Sequence, residues 1–285
     1  MPSAALARSP VPSVRAPAGA ANARVNRAAR VVSRAVAEDA PPAAAVRASV
    51  AEDADAKCAE TKKRLVAVAA ASGRGLDATA AQKASAAALV DALVAANPTP
   101  DPTTSELVNG DWELVYSDTH LFRSSPFFWG VGKMMGSTAD FFYAAHSHQT
   151  GMFGGGVGRV VQSIDVAAGT LVSDCIVKAS LGIPLLGFSP VFSGFGSVIT
   201  KGRLEPLDGT RFSVVAETTT VRQDDTSVIP ALNFLNGTTV PVEDAMKTVG
   251  GGEAGPEAFL DVTFLDDEMR ISKLEDGSVF VYQRC

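Results

Sequence analysis

Cysteine is scarce in this chain: three in 285 residues, at Cys58, Cys175 and Cys285. An odd number so widely spaced builds neither a disulfide framework nor a paired metal-ligand pattern, which fits a reducing compartment. Histidine is equally rare, at His120, His146 and His148. No Gly-x-Ser-x-Gly elbow, HExxH or CxxC sequence is present, so no familiar catalytic signature stands in the chain. Acids and lysines are missing from the first 37 residues, which hold Arg8, Arg15, Arg24, Arg27, Arg30 and Arg34 and no apolar core run. A secretory signal needs such a run, whereas an arginine-rich, serine-containing, acid-free leader has the composition of an organelle transit peptide. Pro2, Pro10, Pro12 and Pro17 would break the amphipathic helix of a mitochondrial leader. A plastid address over residues 1–37 is therefore expected, cut near Ala35–Ala37 or as late as Val46-Arg47-Ala48.

The charge balance depends on that leader. All 31 Asp+Glu follow it and six of the 25 Lys+Arg lie within it, so the body is near −12 rather than the −6 of the whole chain. An acidic body lacks the counterion release that drives nucleic-acid binding, which excludes DNA and RNA as partners.

Two helices are expected over residues 51–97. Lys57–Ala71 is alanine-rich with Leu65, Val66 and Val68, and Ser72-Gly73-Arg74-Gly75 supplies a helix stop. Asp77 or Thr79 caps the second helix, whose stripe reads Ala88, Leu89, Ala92, Leu93 and Ala96. Asn97-Pro98-Thr99-Pro100 ends it, because a residue before proline avoids helical dihedrals. The pair forms a hairpin docked on a following domain.

From Asn109 the apolar period becomes two. Trp112, Leu114 and Tyr116 share one face, as do Leu260, Val262 and Phe264. Leu171–Ala179, Arg211–Val221, Met269–Lys273 and Ser278–Tyr282 read as further strands, the last two joined by the turn Glu275-Asp276-Gly277-Ser278. Short turns without interleaved long helices predict a mainly β fold, an antiparallel sheet closed as a barrel or packed as a sandwich over residues 107–285. Two stretches interrupt the strands: the aromatic Leu121–Ala145 and an irregular insertion at residues 225–252. Insertions this long are commonly lids or binding loops.

Several candidate sites stand out. Ala179–Thr200 is uncharged and long enough to span a bilayer, but its prolines and glycines favour two buried strands joined by an apolar loop at Ile183–Phe188. Phe127, Phe128 and Trp129 after Ser-Ser-Pro form either a plug sealing one barrel end or a wedge at an apolar boundary. His146-x-His148 would place two imidazoles on one side of a strand, a metal pair without a third ligand; no metal site or cofactor is expected. Gly154–Gly158 lacks the Lys-Ser/Thr of a phosphate loop. Asp266-Asp267-Glu268 reads as a solvated turn.

Gly110-x-Trp112 opens the first strand in the manner of a lipocalin signature. It stands within Leu107-x-x-Gly110-x-Trp112-x-Leu114-x-Tyr116, after the helical hairpin and before Leu121-Phe122-Arg123-Ser124-Ser125-Pro126-Phe127-Phe128. The chain closes on Leu265-Asp266-Asp267-Glu268-Met269-Arg270-Ile271-Ser272 and Gly277-Ser278-Val279-Phe280-Val281-Tyr282. Together these resemble the plastid lipid-associated protein/fibrillin family over Lys57–Arg284. The resemblance implies a lipocalin-like antiparallel barrel preceded by a short helical hairpin. It also implies binding of plastid lipids or isoprenoids at thylakoids or plastoglobules, without a catalytic centre. It places Trp112 at the barrel base and gives Arg270 the arginine of the Leu-Asp-x-x-Arg-Ile-Ser motif. Arg270 or Arg284 is expected to cover the Trp112 ring by a cation–π contact.

Ligand-lining candidates are Trp112, Tyr116, Phe122, Phe127, Phe128 and Trp129. Two other functions remain open at this stage. One is a scaffold that holds a plastid lipid-biosynthesis enzyme through residues 225–252. The other is an enzyme in which Asp118, His120, His146 or His148 converge in the cup.

Overall fold

The computed structural model describes residues 43–151, 155–182, 190–224, 230–250 and 255–285. Contacts divide the chain into Met1–Ala54 and Asp55–Cys285. In the first unit the described residues are all helical, and the expected leader lies outside them. Apart from the first turns of the first helix, everything below concerns the second unit.

Helix α1 (Ala43–Ala71) starts earlier than the alanine pattern alone suggested, and α2 (Ala80–Ala95) follows after one turn. The turn is tightly specified. Ser72 Oγ donates to the Val68 carbonyl at 2.7 Å, ending α1. Gly75 takes φ +97°, and a Cβ there would overlap the Ser117 carbonyl oxygen, so only glycine lets the hairpin approach the sheet. Arg74 adopts φ 61°, held there by its guanidinium donating to the Gly158 and Val157 carbonyls at 2.6 and 2.8 Å.

Thr79, not Asp77, caps α2 in a reciprocal capping box with Gln82. The buried face of α2 is Ala86, Leu89, Val90 and Leu93, while Ala88, Ala92 and Ala96 are exposed. In a helix this rich in alanine, the larger valine and leucine side chains select the buried face, rotating it from the expected stripe. Asn97 then clips the hairpin's exit to the sheet, accepting the Leu265 N–H at 3.0 Å.

The sheet comprises β1 (Gly110–Ser117), β2 (Gly156–Asp165), β3 (Thr170–Gly182), β4 (Pro190–Pro206), β5 (Arg211–Gln223), β6 (Thr239–Pro241), β7 (Glu257–Leu265), β8 (Met269–Leu274) and β9 (Val279–Arg284). All pairings are antiparallel, in the order β4-β3-β2-β1-β9-β8-β7-β5, and β4 also pairs β5. Eight strands thus close into the expected barrel, which removes the open edges of a flat sheet. The ninth strand, β6, pairs β5 at Thr218–Thr220, beyond the Arg211–Val215 segment that pairs β7.

Two faces of the sheet are apolar. The interior packs Trp112, Leu114, Ile164, Leu171, Phe212, Leu260, Val262, Phe280 and Tyr282 among others. The outer face of β1, β7, β8 and β9 packs Tyr116, Phe264, Met269, Ile271 and Val281 under Leu65, Leu89, Val90 and Leu93 of the helical hairpin.

Both period-2 stripes read from sequence break at their last member. The register shifts between Leu114 and Tyr116 in β1 and between Val262 and Phe264 in β7. Each bulge turns the following aromatic from the interior to the outer face. Tyr116 accordingly pairs with the outward Val281, and Phe264 with the outward Ile271.

Between β1 and β2 the chain folds as helix rather than strand: α3 (Pro126–Met135) and α4 (Ala139–Gly151). The stretch expected to be irregular carries a 3-10 turn (Pro230–Leu235), β6, and α5 (Val242–Gly250). Val242 and Met246, one helical turn apart, bury against Val131 and Ala216, which explains why α5 orders. The apolar loop at Ile183–Phe188 lies outside the described residues; β3 and β4 flank it as strands, as expected. Among the described residues no helix is long and apolar enough to cross a membrane.

Candidate functional site

The barrel has two unlike ends. The base gathers the start of β1, the β2–β3 and β4–β5 turns, the β7–β8 turn and the end of β9. Trp112 closes it, fully buried, with its Nε1–H donating to the Val108 carbonyl at 2.9 Å. The Arg284 guanidinium lies 4.2 Å from the Trp112 ring centre and donates to the Asn109 and Asp267 carbonyls at 2.9 and 2.8 Å. Arg270 is 5.5 Å from the same ring and 4.3 Å from that of Tyr282. Both candidate arginines therefore meet Trp112, Arg284 from a half-buried position and Arg270 from inside the barrel. Arg270 pairs in register with Leu265 and Tyr282, both interior residues, and is itself fully buried inside the barrel.

At the other end, the mouth, the chain from Leu121 through α3 enters the opening. Leu121 and Trp129 join the interior core. The Trp129 indole N–H donates to the Arg123 carbonyl at 2.6 Å. Gln162 Nε2 donates to the Ser124 carbonyl at 2.7 Å, and Ser125 Oγ bonds Thr200 Oγ1 at 3.1 Å. Of the two readings of the Ser-Pro-Phe-Phe-Trp segment, the geometry is that of the plug.

The six expected lining residues part company. Trp112 and Trp129 border the interior from opposite ends. Phe122 and Phe128 meet at 4.6 Å, tilted by 50°, in a separate aromatic cluster with Tyr143, and Phe127 bridges from it toward Val131 and Met246. Tyr116 faces away from the interior because of the β1 bulge, so its place among the lining residues is corrected.

The His146–His148 pair is corrected too. Both lie on α4, where a two-residue spacing points them to different sides, and His148 is exposed. Among the described residues no cluster of three or more metal-ligating side chains occurs. His146 instead meets the Phe122 ring edge-on at 4.6 Å, and His120 stacks on the same ring at 5.2 Å. Burial holds both imidazoles below their ordinary pKa; repulsion from Arg123 and Lys83 adds to this for His120, and repulsion from His120 for His146. Asp118 is spent on structure, accepting the Val279 N–H at 2.9 Å. Cys175 is buried in the interior, where desolvation pushes its thiol up to about 12, far from a nucleophile. Asp266 is likewise structural, accepting the Glu268 and Met269 N–H groups at 2.9 and 2.7 Å.

Beside the plug lies a cleft of about 420 Å³ lined by Arg123, Trp129, Lys133, Tyr143, Phe259 and Asp276 among others. It is amphipathic. Arg123 pairs with Asp276 and lies 4.4 Å from the Tyr143 ring centre; Lys133 pairs with Glu275 and lies 5.1 Å from that of Phe259. These two ion pairs fasten the plug to the β8–β9 turn. Tyr143 OH donates to the Phe128 carbonyl at 2.8 Å, and Gly132 leaves the room that hydroxyl needs.

Sequence reasoning missed the polar layer that crosses the barrel. Gln162, Ser173, Thr200, Arg270 and Ser272 are all fully buried on interior-facing positions. A signal was available in β8, where Arg270 and Ser272 alternate with Met269 and Ile271. In a strand covered outside by the hairpin, the polar phase is the one that points inward.

The family model described as PAP_fibrillin matches residues 59–283. The chain is 27% identical over 254 residues to the chromoplast-specific carotenoid-associated protein C2, chromoplastic, of an Oncidium hybrid cultivar, covering 80% of this chain and 70% of that protein. The C1 protein of the same plant matches at the same identity and coverage. No solved structure matches the chain.

Proposed function

The chain belongs to the PAP_fibrillin family, and on that premise we propose that it is a non-catalytic lipid-binding protein of plastids. In this reading the barrel takes up isoprenoid or other apolar plastid lipids, and the mouth end docks on a thylakoid or plastoglobule surface. The observation that carries it is the distribution of exposed apolar side chains. Phe141 is 80% exposed, Phe234 and Val249 75%, Val240 45%, Met134 39% and Ile176 37%. These six and Phe195 (48%) lie on elements at the mouth half, against Leu107 and Leu207 at the base and Leu76 on the helical hairpin, so seven of the ten exposed large apolar side chains among the described residues share one end. Scattered apolar residues are ordinary on a soluble surface, whereas a concentration at one end marks an apolar contact. The carotenoid association named for the two Oncidium proteins supports the ligand class.

An acidic chain is repelled by anionic headgroups, so docking must rest on apolar insertion rather than on charge. Flotation with galactolipid vesicles tests this. Binding should persist at high ionic strength and fall when Phe141→Ser and Phe234→Ser are combined. Release of the unaltered protein by salt alone would refute the apolar docking.

A further inference from the structure

The polar layer inside the barrel is not fully explained by the fold. Arg270 is wholly buried, and its Nη2 donates to Gln162 Oε1. Its Nε and Nη1 find no acceptor among the described residues, and the hydroxyls of Ser173 and Ser272 have no partner there either. These groups are neighbours. Ser272 lies two positions along β8 from Arg270, on the same face. Ser173 pairs directly with Gln162 across β2 and β3. Two guanidinium donors and two hydroxyls thus converge on the interior between Trp112 below and Trp129 above.

The charge is equally unmatched. Among the described residues no carboxylate pairs with Arg270. The charged neighbour that acts on it is Arg284, which repels it, and burial pushes its pKa down to about 10. The side chain is still a cation at neutral pH, and a buried cation without a counter-ion is costly unless something pairs with it. Interior aromatic faces at Tyr282 and Trp112 offset part of that cost. They leave the in-plane donors at Nε and Nη1 unpaired; each belongs to a different carboxylate-matching edge of the guanidinium, and the two edges share Nη2, which Gln162 holds.

We propose that Arg270, with Ser173 and Ser272, is the anchor for the carboxylate of an acidic lipid, a fatty or isoprenoid carboxylic acid bound head-down in the barrel. The carboxylate takes the edge formed by Nε–H and Nη2–H of Arg270, displacing Gln162 Oε1 from Nη2, with the two serine hydroxyls beside it. The apolar tail runs toward the mouth through the volume now held by Leu121 and Trp129, so that binding displaces the plug. Gln162 couples the two events, because it holds Arg270 through its Oε1 and the Ser124 carbonyl of the plug through its Nε2. This rests on the lipid-binding reading above but goes beyond it in naming the headgroup and its depth.

The test is titration of the full chain with cis-parinaric acid and, separately, with its methyl ester. These probes share a tail and differ only in the charge of the head. The acid should bind at least tenfold more tightly than the ester, with a change in tryptophan emission as Trp129 moves. Arg270→Met should erase the preference while keeping the ester's affinity. If that variant does not fold, Ser173→Ala with Ser272→Ala, which retains the charge, should weaken the acid several-fold and leave the ester unchanged. Equal affinity for acid and ester would overturn the anchor and leave the lipid-binding reading standing. Absence of binding by both, together with failure to float with vesicles, would overturn the two together.

Discussion

Truncation of Trp129 puts the plug under the most direct stress. The side chain is 4% exposed, packs with the barrel interior, and donates its indole N–H to the Arg123 carbonyl at 2.6 Å. Trp→Ala in a core costs about 3–5 kcal/mol, and loss of a buried hydrogen bond adds about 1 kcal/mol. The variant should therefore lose about 4–6 kcal/mol, equivalent to about 8–24 °C in Tm for a domain of this size. Phe127→Ala, at a half-buried position on the plug's rim, should cost about 1–2 kcal/mol by the area it exposes. Urea melts followed by far-UV circular dichroism give both values on the full chain. Tryptophan emission gives a second readout, because Trp112 and Trp129 are the chain's two tryptophans and both are buried. A loss below about 1.5 kcal/mol for Trp129→Ala, no larger than for Phe127→Ala, would show that the indole does not fill the barrel and would refute the plug.

At the base, Arg284→Met should cost about 1–3 kcal/mol, from a cation–π contact and three carbonyl hydrogen bonds. Combined with Trp112→Phe in a double-mutant cycle, it should show a coupling of about 0.5–1 kcal/mol; simple additivity would exclude the ring contact. Lys62 bridges Asp266 at 2.9 Å and Glu268 at 2.5 Å, tying α1 to the β7–β8 turn. Lys62→Met should lower stability by about 1 kcal/mol and lose that difference in high salt, whereas a salt-independent deficit would point to packing instead.

His120 and His146 titrate below the ordinary 6.5 in the folded protein. The unfolded chain therefore binds more protons as pH falls through 6.5, and the stability these groups preserve above that pH is lost below it. Tm should drop between about pH 7 and pH 5, and His146→Phe should flatten the profile; an unchanged slope in that variant would remove His146 as a source.

The barrel was legible because period-2 apolar alternation survives in strands whose interior is packed. The Pro-rich exit of the second helix was legible for similar local reasons, and its cap was narrowed to Asp77 or Thr79, of which the structure uses Thr79. What escaped was whatever depends on a count of one. A single bulge residue sends Tyr116 out under the helices, and another does the same to Phe264; no local composition marks where either falls. His146 and His148 looked like a strand pair because their spacing suits a strand, but Ala139–Gly151 folds as a helix that packs Phe142, Tyr143 and His146 on Phe128. Arg270 was read correctly as a motif residue near Trp112, but its full burial inside the barrel was not foreseen. Sequence spacing fixes phase along β8, but only the hairpin covering its outer face decides which phase is inside.

The division of β5 between two partners has a consequence for how the molecule breathes. Its first half, Arg211–Val215, is stitched to β7, and its second half turns instead to the three-residue β6. The ring of hydrogen bonds is therefore continuous around the base and interrupted near the mouth, where α5 packs Val242 and Met246 against Val131 and Ala216 and pairs Glu243 with Arg203 of β4. Amide hydrogen exchange should register this as two tiers. Amides of Phe212, Leu260 and Ile271 should exchange only on global unfolding. Those of Val221 and the β6 segment should exchange through small openings that leave the base intact.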